Sequence, residues 1–259
     1  MAAQAAAAIL QRFEIEGLEL AFVLGSGWSG AAESLGETVG VCPLAELPGF
    51  AKPVVVGHGG DLRIVRTPNG KLAAIFTGRT HYYEGRGVAA VVHGVRTAAA
   101  AGAQTIVLTN GCGGLNPDWG PGRTVLIRDH INLTASTPLV GATFIDMTDT
   151  YAGRLRELAR TVDPTLPEGV YVQFAGPQYE TPAEVKMAGV LGGDLVGMST
   201  TLEAIAAREA GMEVLAISLV TNFAAGISAT KLHHSEVLEA GAAAEPQLRR
   251  LLTGLAAVL

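Results

Sequence analysis

The chain has 259 residues, 49% of them hydrophobic and 16% charged, with a formal net charge of −6. Such a length supports a large core without disulfides or a structural metal. The acidic balance, with no lysine or arginine cluster, argues against a nucleic-acid or anionic-membrane surface.

No apolar stretch reaches the roughly 18 residues of a membrane span. The only cysteines are Cys42 and Cys112, too few for a disulfide framework, and they point to a reducing compartment, the cytoplasm. The first helical pattern, Ala5–Phe13, has no basic flank before its apolar run, and reads as a surface helix rather than a secretory signal. Strand-length apolar runs follow at Leu20–Leu24 and Leu72–Phe76, then a helical pattern at Val88–Ala101. Further strands are expected at Thr105–Leu108, Val125–Ile127, Val170–Phe174 and Val214–Leu219. Helices are expected at Tyr151–Arg160, Pro182–Leu191, Leu202–Ala210 and Ser235–Val258. This interleaving predicts one α/β domain over 1–259, with a central mixed, twisted β-sheet flanked by helices. The greasy composition is also what a subunit covered by a partner would have.

Two helix starts are legible as capping boxes. Thr181-Pro182-Ala183-Glu184 sets a capping threonine, a first-turn proline and a reciprocating glutamate, and Thr200-Thr201-Leu202-Glu203 repeats the pattern. Each box follows the end of an expected strand. In α/β sheets ligands bind at the carboxyl ends of strands, where amides of the next helix point outward. Tyr179, Glu180, Met198 and Ser199 occupy those positions.

Three loops carry chemistry. Leu24-Gly25-Ser26-Gly27-Trp28-Ser29-Gly30 follows a strand and opens an expected helix. Its glycines fit a dinucleotide fingerprint, an anion loop in which amides approach a phosphate and Ser26 adds a hydroxyl, or a bare turn. Gly78-Arg79-Thr80-His81-Tyr82-Tyr83-Glu84-Gly85 concentrates a cation, an imidazole and phenols after a strand. In an extended segment Arg79, His81 and Tyr83 would point the same way, and an arginine fork suits an oxyanion. Thr109-Asn110-Gly111-Cys112-Gly113-Gly114 is either an anion-approaching turn or an ordinary glycine-rich one. The histidines show no metal-ligand spacing, so no metal is expected, and His93 and His130 are read as structural. A G-x-S-x-G elbow is absent from the sequence.

Taken in order, LGSG, VGHGG, GRTHYYEG, TNGCGGLNP, IRDHINL, GPQYETPAE, VGMST, SLVTN and HHSEVLEAG resemble the trimeric purine nucleoside phosphorylases. The resemblance runs from about Gly17 to the C-terminal helix and sets the dinucleotide reading aside. It implies a nucleoside phosphorylase-like fold and reversible phosphorolysis of 6-oxopurine (deoxy)ribonucleosides, such as inosine and guanosine, to free base and (deoxy)ribose 1-phosphate. It implies no cofactor, inorganic phosphate as co-substrate, and a homotrimer. Residue by residue, it implies phosphate binding by Ser26, His58, Arg79, His81, the Gly111 amide and Ser199. Ribose would be met by Tyr83, Met198 and His234, and the base by Tyr179, Glu180 and Asn222. Asn222, Glu180 and His81 would carry the catalysis.

The chemistry is consistent with that assignment. Cleavage at an anomeric carbon builds positive charge on the sugar and negative charge on the departing purine. The Asn222 amide could donate to O6 and accept a proton from N7, where that charge grows. Glu180 could accept N1–H of a 6-oxopurine, whereas adenine offers both side chains the wrong polarity. The sequence departs from the family in three places. Gly111-Cys112 stands where alanines are common, and Thr80 where phenylalanine is usual. The loop after Pro138-Leu139-Val140-Gly141 is shorter, leaving Phe144 as the local aromatic for a neighbouring subunit's ribose site. The competing readings are a methylthioadenosine phosphorylase, against which Asn222 and His234 argue, a hydrolytic nucleosidase, and a non-catalytic nucleoside-binding protein.

Overall fold

The structure is a computed structural model that describes residues 1–51, 60–227 and 234–259, the side chains of 234–236 apart. In chain order the elements are α1 (Ala2–Arg12), β1 (Leu20–Val23), β2 (Glu37–Pro43), β3 (Asp61–Arg66), β4 (Leu72–Phe76), α2 (Val88–Val91), α3 (His93–Ala100) and β5 (Thr105–Gly114). They continue with β6 (Thr124–Asn132), α4 (Gly153–Val162), β7 (Glu168–Gln173), α5 (Pro182–Val190), β8 (Leu195–Gly197), α6 (Thr201–Glu209), β9 (Glu213–Phe223) and α7 (His234–Val258).

The strands form a mixed sheet in the order β2-β3-β4-β1-β5-β8-β7-β6-β9, and β9 pairs again with β5. That extra pairing closes β5, β8, β7, β6 and β9 into a ring, from which β1, β4, β3 and β2 extend as an arm. Helices cover both faces, so successive strand residues alternate between two apolar layers. On β5, Ile106 and Leu108 face one layer and Val107 the other; on β9, Val214 and Ala216 oppose Leu215 and Ile217. Ile9 of α1, Val95 of α3 and Leu202 of α6 fill the first layer. Leu155 of α4 and Leu248, Leu252 and Leu255 of α7 fill the second.

Every strand given a range from the sequence is present, as are the helices other than the one expected after β1; β2 and β3 were missed, and β8 was expected only as a strand end before the second capping box. β2 and β3 carry too few consecutive apolar residues, and β8 is only three residues long. The helix expected over Val88–Ala101 is two helices, because Val92 leaves helical geometry at φ −93° and ψ 5°. The His93 ring there bonds the Pro48 carbonyl at 2.8 Å and lies against Phe50. The turn after β1 opens a 3-10 helix over Ser29–Leu35 rather than an α-helix. Both capping glutamates engage: Thr181 N donates to Glu184 at 2.7 Å and Thr200 N to Glu203 at 3.2 Å. No helix among the described residues is long and apolar enough to cross a membrane.

Helix α7 crosses the turn after β1 backbone on backbone. A Cβ at Gly241 would stand 2.5 Å from the Gly27 Cα, and Gly27 itself has φ +83°. Gly241→Ala should therefore lose about 1–3 kcal/mol through overpacking, read as a lowered urea midpoint. An unchanged midpoint would mean that the helix can shift without cost.

Candidate active site

The carboxyl ends of β1, β4, β5, β7, β8 and β9 surround a cleft containing about 700 Å³ free of protein atoms, open solvent included. Ser26 follows β1 into it, Arg79, His81 and Tyr83 follow β4, and Gly111 lies on β5. Tyr179 and Glu180 follow β7, Met198 and Ser199 follow β8, and Asn222 stands on β9. Ten of the residues singled out in the sequence thus share one wall. His58 lies outside the described residues, as does the side chain of His234. Phe144 is not on this wall; it sits 94% exposed beside a separate depression with His130 and Ile205.

Arg79 is buried and already engaged. Its Nε donates to Glu203 Oε1 at 3.2 Å, Nη2 lies 3.0 Å from Glu203 Oε2, and Nη1 donates to the Thr109 carbonyl. Of its nitrogens only Nη2 lacks a partner in hydrogen-bonding geometry. The guanidinium fits because Gly25 has no side chain: a Cβ there would meet Arg79 Nη1 at 2.5 Å. The Gly25 amide donates to Thr109 Oγ1 at 3.1 Å. Of the readings open for this loop, the one in which its glycines let amides approach an anion does not extend to Gly25, which supplies space for a cation instead.

The helix-start expectation at α6 is corrected in the same way. The amides of Ser199, Thr200 and Thr201 do not face the cleft unclaimed: they donate to Tyr171 Oη at 3.3 Å, Glu203 Oε2 at 3.2 Å and Gln173 Oε1 at 2.9 Å. Thr200 has φ 79° and ψ −49°, with Thr201 N also bonding the Ser199 carbonyl at 3.0 Å. This is the strained form of γ-turn, which costs on the order of 1–3 kcal/mol and persists only where its surroundings fix it. What the turn presents to a ligand is the Ser199 hydroxyl.

Tyr83 reaches the cleft from a 3-10 turn over Tyr82–Glu84, not from an extended segment. Its ring stacks on His81 with centroids 4.8 Å apart, and burial raises its hydroxyl pKa, so it stays a donor. Glu84 Oε1 accepts the His81 amide at 2.7 Å and lies 3.5 Å from His81 Nδ1.

Glu180 is 7% exposed and its Oε1 has no hydrogen-bond partner. Burial pushes its carboxyl up from the ordinary range. Asn222 Oδ1 accepts from Thr221 Oγ1 at 2.8 Å while its Nδ2 donates to the Phe223 carbonyl at 3.0 Å, leaving one lone pair and one proton for a ligand. Thr221 and Asn222 are consecutive yet both line the cleft. Regular strand geometry forbids this, but the β5–β9 register slips between Cys112 and Gly113, which passes over Thr221 and re-aims Asn222. The buried Cys112 thiol beside them is pushed up to about 12 by burial, and stays neutral.

Sequence reasoning missed Asn110 and Thr221, which also line the cleft, and saw Glu203 only as a cap. Asn110 Nδ2 donates to Thr200 Oγ1 at 2.9 Å; polarity inside an apolar strand was the available signal. His130 bonds Tyr151 Oη at 2.8 Å and His93 bonds Pro48, the structural roles expected of both. No group of three or more His, Cys, Asp or Glu converges among the described residues.

Residues 19–257 match the family model described as "Phosphorylase superfamily". The chain belongs to that superfamily. Over 99% of its length it is 62% identical to a purine nucleoside phosphorylase of Cellulomonas sp, covering 92% of that protein. Two structures of Schistosoma mansoni purine nucleoside phosphorylase superpose over 100% of this chain and 96% of theirs. The complex with inosine has a TM-score of 0.90 and the complex with adenosine 0.91, each at 32% identity.

For this phosphorylase-superfamily chain the Glu180 environment has a measurable consequence. Its folded pKa is raised, so well below the ordinary value of 4.5 both states are protonated. As pH rises the unfolded chain releases this proton first, and stability falls until the folded carboxyl ionises too. Glu180→Gln should therefore gain urea stability relative to the parent between about pH 4.5 and pH 7.5. An equal difference at both pH values would contradict the burial argument.

Proposed function

We propose that this chain catalyses phosphate-dependent, reversible cleavage of 6-oxopurine ribo- and deoxyribonucleosides to free base and pentose 1-phosphate. One observation carries the proposal: a buried cationic donor, Arg79 Nη2, which meets Glu203 as an ion pair but outside hydrogen-bonding geometry, and a buried carboxylate oxygen without a hydrogen-bond partner, Glu180 Oε1, line the same cleft. Leaving such atoms without a hydrogen bond is costly. Together they fit an oxyanion and a ring N–H bound side by side.

In this reading Arg79, Ser26, His81, the Gly111 amide and Ser199 hold phosphate beneath the anomeric carbon, with His58 assigned there by family resemblance. Phosphate is both nucleophile and counter-charge for the oxocarbenium-like sugar. Tyr83, Met198 and, by resemblance, His234 orient the ribose. Tyr179, 37% exposed, is left as a platform for the base. Glu180 accepts N1–H, and the spare proton and lone pair of Asn222 meet O6 and N7–H as negative charge grows on the leaving purine.

The name of the Cellulomonas relative supports the purine nucleoside substrate. The assembly proposed is a homotrimer in the cytoplasm. Val140 and Phe144 support it, lying 81% and 94% exposed on one loop, where an isolated subunit would leave apolar surface in water. Phe144 then completes a neighbour's ribose site.

The relative that binds adenosine makes turnover, rather than binding, the measure of base choice. Purified protein should release base from inosine and guanosine only when phosphate is present, and from adenosine roughly 10⁴-fold less efficiently. Release without phosphate would indicate a hydrolase, and preference for adenosine or methylthioadenosine would overturn the base assignment. Asn222→Ala should lower kcat by about 10²–10³. Asn222→Asp should raise the adenosine-to-inosine ratio, and an unchanged ratio would remove Asn222 from base recognition.

A further inference from the structure

Glu203 is 2% exposed on a helix whose neighbouring residues Thr201, Leu202 and Ala204 are also buried. A capping glutamate needs only one oxygen for its amide. Here Oε2 accepts from Thr200 N at 3.2 Å, Oε1 accepts from Arg79 Nε at 3.2 Å, and Oε2 also lies 3.0 Å from Arg79 Nη2. Both side chains of the pair are 3% exposed. An ion pair this deep is a poor source of stability compared with packed apolar groups, so fold stability does not account for it.

The carboxylate joins two elements that reach the cleft from distant parts of the chain. One is Arg79, whose other anchor is the Thr109 carbonyl. The other is the strained Ser199–Thr201 turn, which holds the Ser199 hydroxyl against Thr200 Oγ1 at 3.3 Å. We propose that Glu203 is the positioning residue of the anion site, fixing the plane of the Arg79 guanidinium and the strained turn carrying Ser199 in one register before phosphate arrives. The inference rests on the reading of this cleft as a phosphate site.

Two effects of removing the carboxylate oppose each other. Loss of a negative charge 3.0 Å from Arg79 strengthens its attraction for any anion. Loss of a two-point grip lets the guanidinium turn, puts an amide donor against a cationic donor, and releases Thr200 N. Alignment dominates here, because a displacement of about 1 Å in a positioned group costs about 10²-fold in turnover, and the anion is met by several groups that must agree.

The test is steady-state phosphorolysis of inosine by the full chain, with phosphate varied. Glu203→Gln should raise KM for phosphate about tenfold or more and lower kcat, with KM for inosine within about twofold. Adding Glu203→Gln to Arg79→Ala should raise KM for phosphate by clearly less than Glu203→Gln does in the parent, since only the Ser199 turn is left to disturb, a non-additivity that general destabilisation would not produce. If Glu203→Gln does not fold, Glu203→Asp keeps the charge one methylene short and should raise the same constant about threefold. Unchanged or lowered KM for phosphate in a folded variant, or additive effects with Arg79→Ala, would overturn the proposal. The underlying reading fails separately: the parent protein would then gain no thermal stability from phosphate, and Arg79→Ala would leave KM for phosphate unaltered.

Discussion

One strand has to belong to two parts of the sheet. β5 pairs with β1 from Thr105 to Leu108 and with β8 only at Gly113 and Gly114, both along the edge opposite β9. Thr109 to Cys112 therefore have no strand neighbour on that edge, and buried backbone groups there must be satisfied otherwise. The Thr109 carbonyl accepts from Arg79 and the Asn110 carbonyl from Trp28 Nε1 at 2.9 Å. The cleft is the space left where the sheet parts. It is a switch point of the kind at which α/β folds bind ligands, and the small residues from Gly111 to Gly114 leave it open.

The charges are arranged around that gap with little left to chance. Arg79 is a cation at its floor, and Glu203 partly neutralises it, so it is not a bare buried charge. The amides at the start of α6 are likewise committed, to Tyr171, Glu203 and Gln173. A ligand meets hydroxyls, a guanidinium nitrogen paired with Glu203 outside hydrogen-bonding geometry, and a carboxylate that burial disfavours in its ionised form. Groups fixed in this way need little rearrangement when substrate binds, which is where preorganised sites gain their rate.

Much of this was legible in the sequence, and the gaps have physical causes. β4 could be placed to the residue because Leu72–Phe76 is uniformly apolar between polar flanks, and α5 because its cap, proline and glutamate are local signals. β2 could not, since its edge position leaves Val39 and Val41 exposed and its pattern reads as a loop. Resemblance supplied Arg79, Glu180 and Asn222 as a set, but not how they are held. The roles of Gly25 and Glu203 depend on an arginine more than fifty and more than a hundred residues away, respectively. The register slip that turns Asn222 into the cleft leaves no mark in local composition. Spacing finds residues that chain proximity brings together; it cannot find those that only tertiary packing unites.

Arg79 Nη2 and Glu180 Oε1, two of the cleft's buried atoms outside hydrogen-bonding geometry, are taken as the two halves of a binding site. A crystal structure with hypoxanthine and phosphate bound together tests this most directly. The account predicts Glu180 Oε1 within hydrogen-bonding distance of a purine N–H, and Arg79 Nη2 donating to a phosphate oxygen in the same cleft. A purine edge turned away from Glu180, or phosphate bound without Arg79, would contradict it.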